Sequence, residues 1–225
     1  MKKLALAAVA LLAIAGIASA ESFVVNMTGV AGGNPPTLSV SSGSDYVSLP
    51  ANSTTISGTI QNSAAGRVAI QNWVWNGSTL SFDVSIAEDY TLTSLSVEGI
   101  IRANGTSAPV NYAWSIGSAQ TKNISVTGTG SSGEASYNES ITGLNLTGNQ
   151  TISLSAVGVA TLNNADRSGA GSWYSAGSVN VYNATFTGTV TKDAPGPGPQ
   201  VPEPATMALL GLGGLALALR RRIRK

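Results

Sequence analysis

Alternation of apolar and polar residues dominates the middle of this chain. Leu80, Phe82, Val84 and Ile86 fall on one side of an extended segment, and the residues between them are polar. Period-two alternation is typical of a β-strand with one face in the core, and helical periodicity is nearly absent here. Further candidate strands lie at 23–27, 45–49, 54–60, 67–75, 91–101, 110–116, 122–127, 134–141, 152–155 and 179–190. The pattern predicts an all-β fold, either an antiparallel β-sandwich or a barrel.

Asn–Gly and Gly–Asn pairs mark expected turns at 76–77, 104–105 and 148–149. Such pairs favour the backbone conformations of tight hairpin turns. A change of phase between Ser155 and Val157 predicts a bulge in the strand that begins near residue 152. The body, residues 21–193, is large enough to bury a core without a disulfide.

The chain contains no cysteine and no histidine. This composition excludes a Ser-His-Asp triad, a cysteine nucleophile, a disulfide and a zinc site with thiolate or imidazole ligands. We predict no catalytic residue and no cofactor, and we assign no metal site, although the composition does not exclude oxygen ligands for calcium. Five basic and ten acidic residues between 21 and 200 leave a net charge of −5, which repels phosphate backbones, so nucleic acid is not an expected partner.

The N-terminus has the three parts of a secretory signal peptide. Two lysines precede an apolar run over residues 4–17, and Ala18 and Ala20 form the expected cleavage site. Cleavage after Ala20 makes Glu21 the first residue of the mature protein. A short membrane anchor is the alternative, but the run is shorter than the roughly 20 apolar residues of a spanning helix. Residues 1–20 therefore predict export, with the export machinery and signal peptidase as partners.

The residues after the body form an ordered series. A Pro/Gly linker covers 194–200, and the motif Pro202-Glu203-Pro204 follows. A helix over 205–219 would be about 22 Å long, shorter than a hydrocarbon core of about 30 Å. Basic residues resist translocation, so this short transmembrane helix is expected to stop transfer with its end in the cytoplasm. The basic end consists of Arg220, Arg221, Arg222, Arg224 and Lys225.

This arrangement resembles the PEP-CTERM sorting signal. The Pro-Glu-Pro motif, the short apolar helix and the arginine-rich end stand in the same order over residues 201–225. The resemblance implies processing by an exosortase, a membrane-embedded transpeptidase-like enzyme of Gram-negative bacteria, and association with exopolysaccharide and a biofilm or floc matrix. The expected path is an inner-membrane intermediate, held by the C-terminal helix, and then the cell surface or extracellular matrix. A permanent anchor without processing is the alternative.

Four segments of the body carry a second resemblance, at 91–97, 143–147, 151–154 and 181–190. Their order is similar to that of the jelly-roll bodies often attached to PEP-CTERM tails, which are similar to carbohydrate-binding modules. The resemblance implies a jelly-roll-like β-sandwich. Those bodies commonly have an Asp-Asn pair before the final strand, and this chain has Tyr182-Asn183, so no calcium or ligand site is carried over.

Two tryptophans form a candidate sugar-stacking platform. Trp73 and Trp75 flank one valine in the strand predicted at 67–75, so both rings are expected on the same face. Trp173 and Tyr174, in a loop rich in glycine and serine, are further candidates. Burial in the core or at its rim is the alternative for these aromatic residues. The same two alternatives, exposure in a platform or burial, apply to Trp114.

Asp83, Glu88 and Asp89 form an acidic cluster. Calcium needs six or more oxygen ligands, so three carboxylates define only a candidate site, and a solvated strand and turn explain them as well. A glycosidase needs two carboxylates about 5 to 9 Å apart, which ten acidic residues satisfy too easily to indicate catalysis.

Nine Asn-x-Ser/Thr sequons make glycosylation a further hypothesis. Strand and turn composition explains part of this number, because threonine favours strands and asparagine favours turns. The asparagines are Asn26, Asn52, Asn76, Asn104, Asn123, Asn138, Asn145, Asn149 and Asn183.

The sequence best fits an exported surface or matrix protein with a structural or adhesive role, or one that binds carbohydrate weakly. Polysaccharide is then a candidate partner, and no enzymatic activity is expected. Two alternatives stay open here. One is a secreted polysaccharide hydrolase that uses carboxylates alone, and the other is a calcium-dependent binding module.

Overall fold

The computed structural model describes residues 19–30, 35–51, 54–56, 59–60, 66–71, 78–105, 108–129, 132–158 and 177–193. The chain divides into two units, Met1–Lys192 and Asp193–Lys225, and all described residues except Asp193 belong to the first. No helix within these ranges is long and apolar enough to cross a membrane. The helices predicted near the two ends of the chain lie outside the described residues.

Regular structure in the described ranges is entirely β-strand, and every pairing between strands is antiparallel. This confirms the predicted all-β class. The strands are β1 (Ala20–Thr28), β2 (Thr37–Ser42), β3 (Val47–Ser48), β4 (Thr54–Ile56), β5 (Thr59–Ile60), β6 (Arg67–Gln71), β7 (Thr79–Ile86), β8 (Tyr90–Asn104), β9 (Asn111–Ile116), β10 (Ala119–Gln120), β11 (Ile124–Ser125), β12 (Thr127–Thr129), β13 (Ser132–Leu146), β14 (Asn149–Ala156) and β15 (Ser178–Lys192).

Two sheets make up the sandwich. In the first, called sheet A, the order is β12-β13-β8-β15-β1-β2, and β6 and β5 extend the sheet beside β15. In the second, called sheet B, the order is β10-β9-β14-β7-β3, with β11 beside β9 and β4 beside β7. The predicted antiparallel β-sandwich is therefore confirmed.

The alternation that predicted strand β7 is the one that fills the core. Leu80, Phe82 and Val84 are fully buried and Ile86 nearly so, while the residues between them are partly exposed. Burying one such side chain contributes about 1.5 to 3 kcal/mol, so a sheet needs several strands of this kind to offset the ordering of its backbone.

Aromatic side chains join the two sheets at the centre of the core. Phe186 of β15 contacts Phe82 of β7 and Trp114 of β9 edge-on, with ring centroids 4.8 and 4.9 Å apart. Two residues further along β15, Gly188 stands opposite Phe23 of β1. The Phe23 ring lies over this glycine so closely that an added Cβ would be 2.1 Å from its Cζ.

Strand β15 changes its neighbour at Asn183. Residues 178–182 pair with β6, and residues 184–191 pair with β1. Asn183 has a φ of 45°, a left-handed conformation that asparagine tolerates better than most residues, and its N–H donates to the Gly66 carbonyl at 3.0 Å. The pair Tyr182-Asn183, which departs from the resemblance, therefore falls at a bulge that lets one strand serve two neighbours.

Several parts of the predicted strand pattern need correction. The strand expected over 122–127 is two strands, because β11 pairs in sheet B and β12, which begins at Thr127, pairs in sheet A. The strand expected over 54–60 is two strands, β4 and β5, because each half pairs with a different sheet. The bulge expected after Ser155 is instead the end of β14 at Ala156. The pattern also misses β2, an edge strand that buries no side chain completely and therefore has only weak alternation.

Two buried tyrosines predict a loss of stability in alkali. Burial raises the pKa of Tyr112 and of Tyr137 well above the usual value of about 10. The unfolded chain ionises at about pH 10 while the folded chain stays protonated, so the free energy of unfolding falls as the pH rises above about 10. We expect a decline of about 1.4 kcal/mol per pH unit for each tyrosine, measured by denaturant unfolding. Tyr137→Phe should remove its half of the slope, and an unchanged slope would contradict this account.

Candidate functional site

Most residues that the sequence predicts as sites lie outside the described residues, so those predictions stay predictions. They are the platform candidates Trp73, Trp75, Trp173 and Tyr174, the sorting residues Pro202, Glu203 and Pro204, the basic residues Arg220, Arg221, Arg222, Arg224 and Lys225, and Ala18 of the signal cleavage site. Ala20 is described, and it is the exposed first residue of β1.

Trp114 belongs to the core. Its side chain is fully buried, and its Nε1 and the Oη of Tyr137 have no hydrogen-bond partner in the part of the chain that the structure describes. Burial is the main cause of the raised pKa of Tyr137. Trp114 therefore offers no surface on which a sugar could stack.

The acidic cluster of the sequence does not form a metal site in the described ranges. Asp83 lies on β7 and accepts a hydrogen bond from Thr151 Oγ1 at 2.6 Å, while Glu88 and Asp89 lie in the turn before β8. Among the residues that the structure describes, no group of three or more acidic side chains could hold a metal ion. The solvated strand and turn explain this cluster.

Seven of the nine sequon asparagines are described, and glycosylation stays a prediction. Asn26 and Asn104 are partly exposed. The exposed ones are Asn123, Asn138, Asn145, Asn149 and Asn183.

A polar groove on the outer face of sheet A is the described feature with binding chemistry. It has a volume of about 540 Å³ and is lined by Arg102, Asn104, Ser132, Gly133 and Glu134. Strand β8 supplies the first two residues and β13 the other three. The ladder places Glu134 opposite Arg102 and Ser132 opposite Asn104, so four polar side chains share one face. We call this feature the Arg102 groove.

An ion pair fixes the two charged side chains of the Arg102 groove. Arg102 Nε donates to Glu134 Oε2 at 2.8 Å, and Nη2 bonds to the same oxygen. This hydrogen bond, and then the charge of Glu134, raises the pKa of Arg102, so the guanidinium keeps its charge. Both side chains are close to half exposed, so the pair contributes little to stability and stays accessible to a ligand.

Strand β15 extends the polar face beyond the groove. Ser178, which is partly exposed, stands opposite Asn104, and Asn180, which is buried at 5% exposure, stands opposite Arg102. The Arg102 guanidinium carbon lies 5.7 Å from the centroid of the Tyr182 ring, and that ring is partly exposed. An aromatic side chain and a cation therefore lie next to each other at the side of the groove.

The side chains of the Arg102 groove suit a ligand rich in hydroxyl groups. Arg102 offers N–H donors, Glu134 offers acceptor oxygens, and Asn104 and Ser132 offer both. Sugar hydroxyls donate and accept hydrogen bonds, and a nearby aromatic ring such as that of Tyr182 gives a surface for their apolar C–H faces. Glu134 is the one carboxylate among the described lining residues, whereas glycoside hydrolysis needs two. This chemistry fits binding.

Sequence reasoning does not find the Arg102 groove because the groove depends on register. Arg102 and Glu134 are distant in the sequence, and only the ladder between β8 and β13 brings them together. The available signal was the polar phase of both strands, which places these residues on the outer face but does not say which of them are opposite each other.

The C-terminal residues match a known family model. Residues 200–222 match the model described as the PEP-CTERM protein-sorting motif. This chain carries a PEP-CTERM sorting motif. The match includes Pro202-Glu203-Pro204, the apolar run and part of the basic end, and it confirms the resemblance seen in the sequence. The motif implies exosortase processing and a membrane-anchored stage before export.

Over the whole chain the similarity to known proteins is weaker. No curated protein matches the sequence. Similar solved structures include a mutant of a family 29 carbohydrate-binding module. The identity is 8%, the match covers 75% of this chain and 86% of that chain, and the TM-score is 0.35. Xyl-CBM35 in complex with a disaccharide containing glucuronic acid has 16% identity, coverage of 67% and 99%, and a TM-score of 0.32. CBM35 from Cellvibrio japonicus Abf62 has 17% identity, coverage of 67% and 98%, and a TM-score of 0.32. At such identities and TM-scores the likeness carries no argument about ligand or function.

Proposed function

We propose that this chain is an exported surface or matrix protein with a structural or adhesive role, whose β-sandwich binds carbohydrate weakly. The match of residues 200–222 to the PEP-CTERM sorting motif carries this proposal. In this account the signal peptide sends the body outward and is removed after Ala20. The short C-terminal helix then holds the chain in the inner membrane until an exosortase acts near Pro202-Glu203-Pro204. The mature body is deposited on the cell surface or in an exopolysaccharide matrix.

The Arg102 groove supports the carbohydrate-binding part of the proposal. Its donors and acceptors are exposed and face solvent from one sheet, so a long polysaccharide reaches them without entering a deep pocket. An open groove buries little ligand surface, which predicts weak binding at each site. Many copies in one matrix offset this weak binding at each site, because a polysaccharide that contacts several linked sites is bound with high overall avidity. Display and adhesion need no catalytic residue, so we propose no enzymatic activity.

The tryptophan platform is a second part of the same proposal. Strand β6 ends at Gln71, two positions before Trp73, and Gln71 stands opposite Ser178 of β15. Ser178 in turn stands opposite Asn104 of the Arg102 groove. The described part of β6 therefore ends at the end of sheet A that carries the Arg102 groove, close in the sequence to Trp73, and this supports the proposal of a shared binding surface.

Glycan binding by residues 21–193 tests the role of the body. These residues include nearly all of the strands of both sheets. We expect binding to an acidic or neutral polysaccharide of the matrix, measured on a glycan array and by titration. Arg102→Ala should weaken that binding about tenfold, because it removes hydrogen bonds from a charged donor.

Two controls make this test specific. Thr187→Ala changes an exposed residue of the same sheet face outside the groove and should leave the affinity unchanged. Trp73→Ala should weaken binding if the platform contributes, whereas a Trp73→Ala variant that fails to fold would show that the ring belongs to the core. If the unmodified body binds no glycan, its role is display alone.

A further inference from the structure

One long side of strand β13 has no hydrogen-bonded strand partner among the described residues, although β10 and β11 of sheet B pass close to this strand. It pairs with β8 in an unbroken antiparallel register from Ser132 to Thr142. On its other side, β12 pairs only with Ser132, Gly133 and Glu134. In the part of the chain that the structure describes, residues 135–142 therefore have no ladder partner on that side. This stretch of eight residues is about 26 Å long, and we call it the β13 edge.

The β13 edge differs from the other sheet edges within the described residues. The other described strands at edges have two to six residues, a length that protects against pairing with another chain. The β13 edge is longer, contains no proline, lysine or arginine, and has one charged residue, Glu139. The bulge after Thr142, where Gly143 has a φ of 71°, ends the regular stretch. Glu139 lies on the same face as Tyr137 and Ile141, so the edge has one inward charge and a bulge at its end, but it lacks the shortness, proline and lysine that protect other edges.

The β13 edge is also rigid. Tyr137 and Ile141 are anchored in the core at 7% and 5% exposure, so the strand cannot peel away easily. The side chains on its outer face are exposed and uncharged, and they belong to Ser136, Asn138, Ser140 and Thr142. An ordered strand loses little entropy when a second strand adds to it, which favours association.

We propose that the β13 edge joins two copies of this chain by antiparallel pairing of β13 with β13 about a two-fold axis. The free N–H and C=O groups of an edge are satisfied by another extended strand, and an antiparallel strand is complementary to itself. Charge selects the register. With Asn138 opposite Asn138 of the second copy, Glu139 faces Tyr137, whereas moving the two-fold axis by one residue, which shifts the pairing by two residues, would place Glu139 opposite Glu139. The two A sheets then form one continuous sheet.

Cysteine cross-linking tests this contact, because the natural chain has no cysteine. Directly opposed residues of an antiparallel pair have Cα atoms about 4.5 to 5.5 Å apart, within the range of a disulfide. Full-length Asn138→Cys in mild detergent, under a mild oxidant, should give roughly ten times more covalent dimer on a non-reducing gel than Thr187→Cys. Thr187 is exposed on the same sheet face but lies on a central strand, so it is the matched control.

The register has its own test. Ser136→Cys mixed with Ser140→Cys should cross-link more than Ser136→Cys alone, since these two positions face each other in the proposed pairing. Equal dimer yields from Asn138→Cys and Thr187→Cys, or no dimer from either, would overturn the proposal. More dimer from Ser136→Cys alone than from the mixture would overturn the register. A chain of wild-type sequence that is monomeric by sedimentation at all concentrations would overturn the association itself.

Discussion

Gly188→Ala is expected to lower the free energy of unfolding of the body by about 3 kcal/mol, at the upper end of the range for overpacked cores. The added Cβ would lie 2.1 Å from Cζ and 2.3 Å from Cε1 of Phe23, far inside van der Waals contact. The Phe23 ring is fully buried, so it cannot swing into solvent to make room. Denaturant unfolding of residues 21–193 measures the loss.

A double-mutant cycle separates this steric cause from a general effect of glycine on the strand. In a Phe23→Ala background the ring is gone, so Gly188→Ala should cost much less than it does in the natural sequence. Thr187→Ala, at the exposed neighbouring position, should change stability little. Equal costs of Gly188→Ala in both backgrounds would show that Phe23 does not pack on this glycine.

Local patterning predicts the strands of this chain well, and tertiary register explains what it misses. The buried series from Leu80 to Ile86 can be identified from the sequence because one face of one strand determines it. The pairs Phe23–Gly188 and Arg102–Glu134 cannot, because each joins strands that are distant in the sequence, and their register depends on the whole sheet. The division of residues 54–60 between two sheets is hidden for the same reason.

The sorting motif, unlike these pairs of residues, does not depend on strand register. Its features follow one another along residues 201–225, so they are visible in the local sequence without any knowledge of strand register. The length of the apolar run against the bilayer and the charge of the basic end are properties of the sequence itself. The sequence therefore predicts how the protein is sorted more directly than it predicts which ligand its body binds.

Removal of the basic end by the exosortase is the second result that we expect to be large. In cells that contain the exosortase, nearly all mature protein should lack the basic end from Arg220 to Lys225. Replacing Glu203 by alanine in the same cells should keep the basic end on the chain and leave the protein in the membrane fraction. Glu139→Ala, a change of the same type in the body, should be processed normally.

The mass of the mature C-terminus, compared between the native host and the same host without its exosortase, tests whether the sorting signal is removed. We expect a chain shortened near Pro202-Glu203-Pro204 in the first strain, and a chain that ends at Lys225 and stays with the membrane in the second. Native protein that still carries Lys225 in a strain with active exosortase would contradict this expectation.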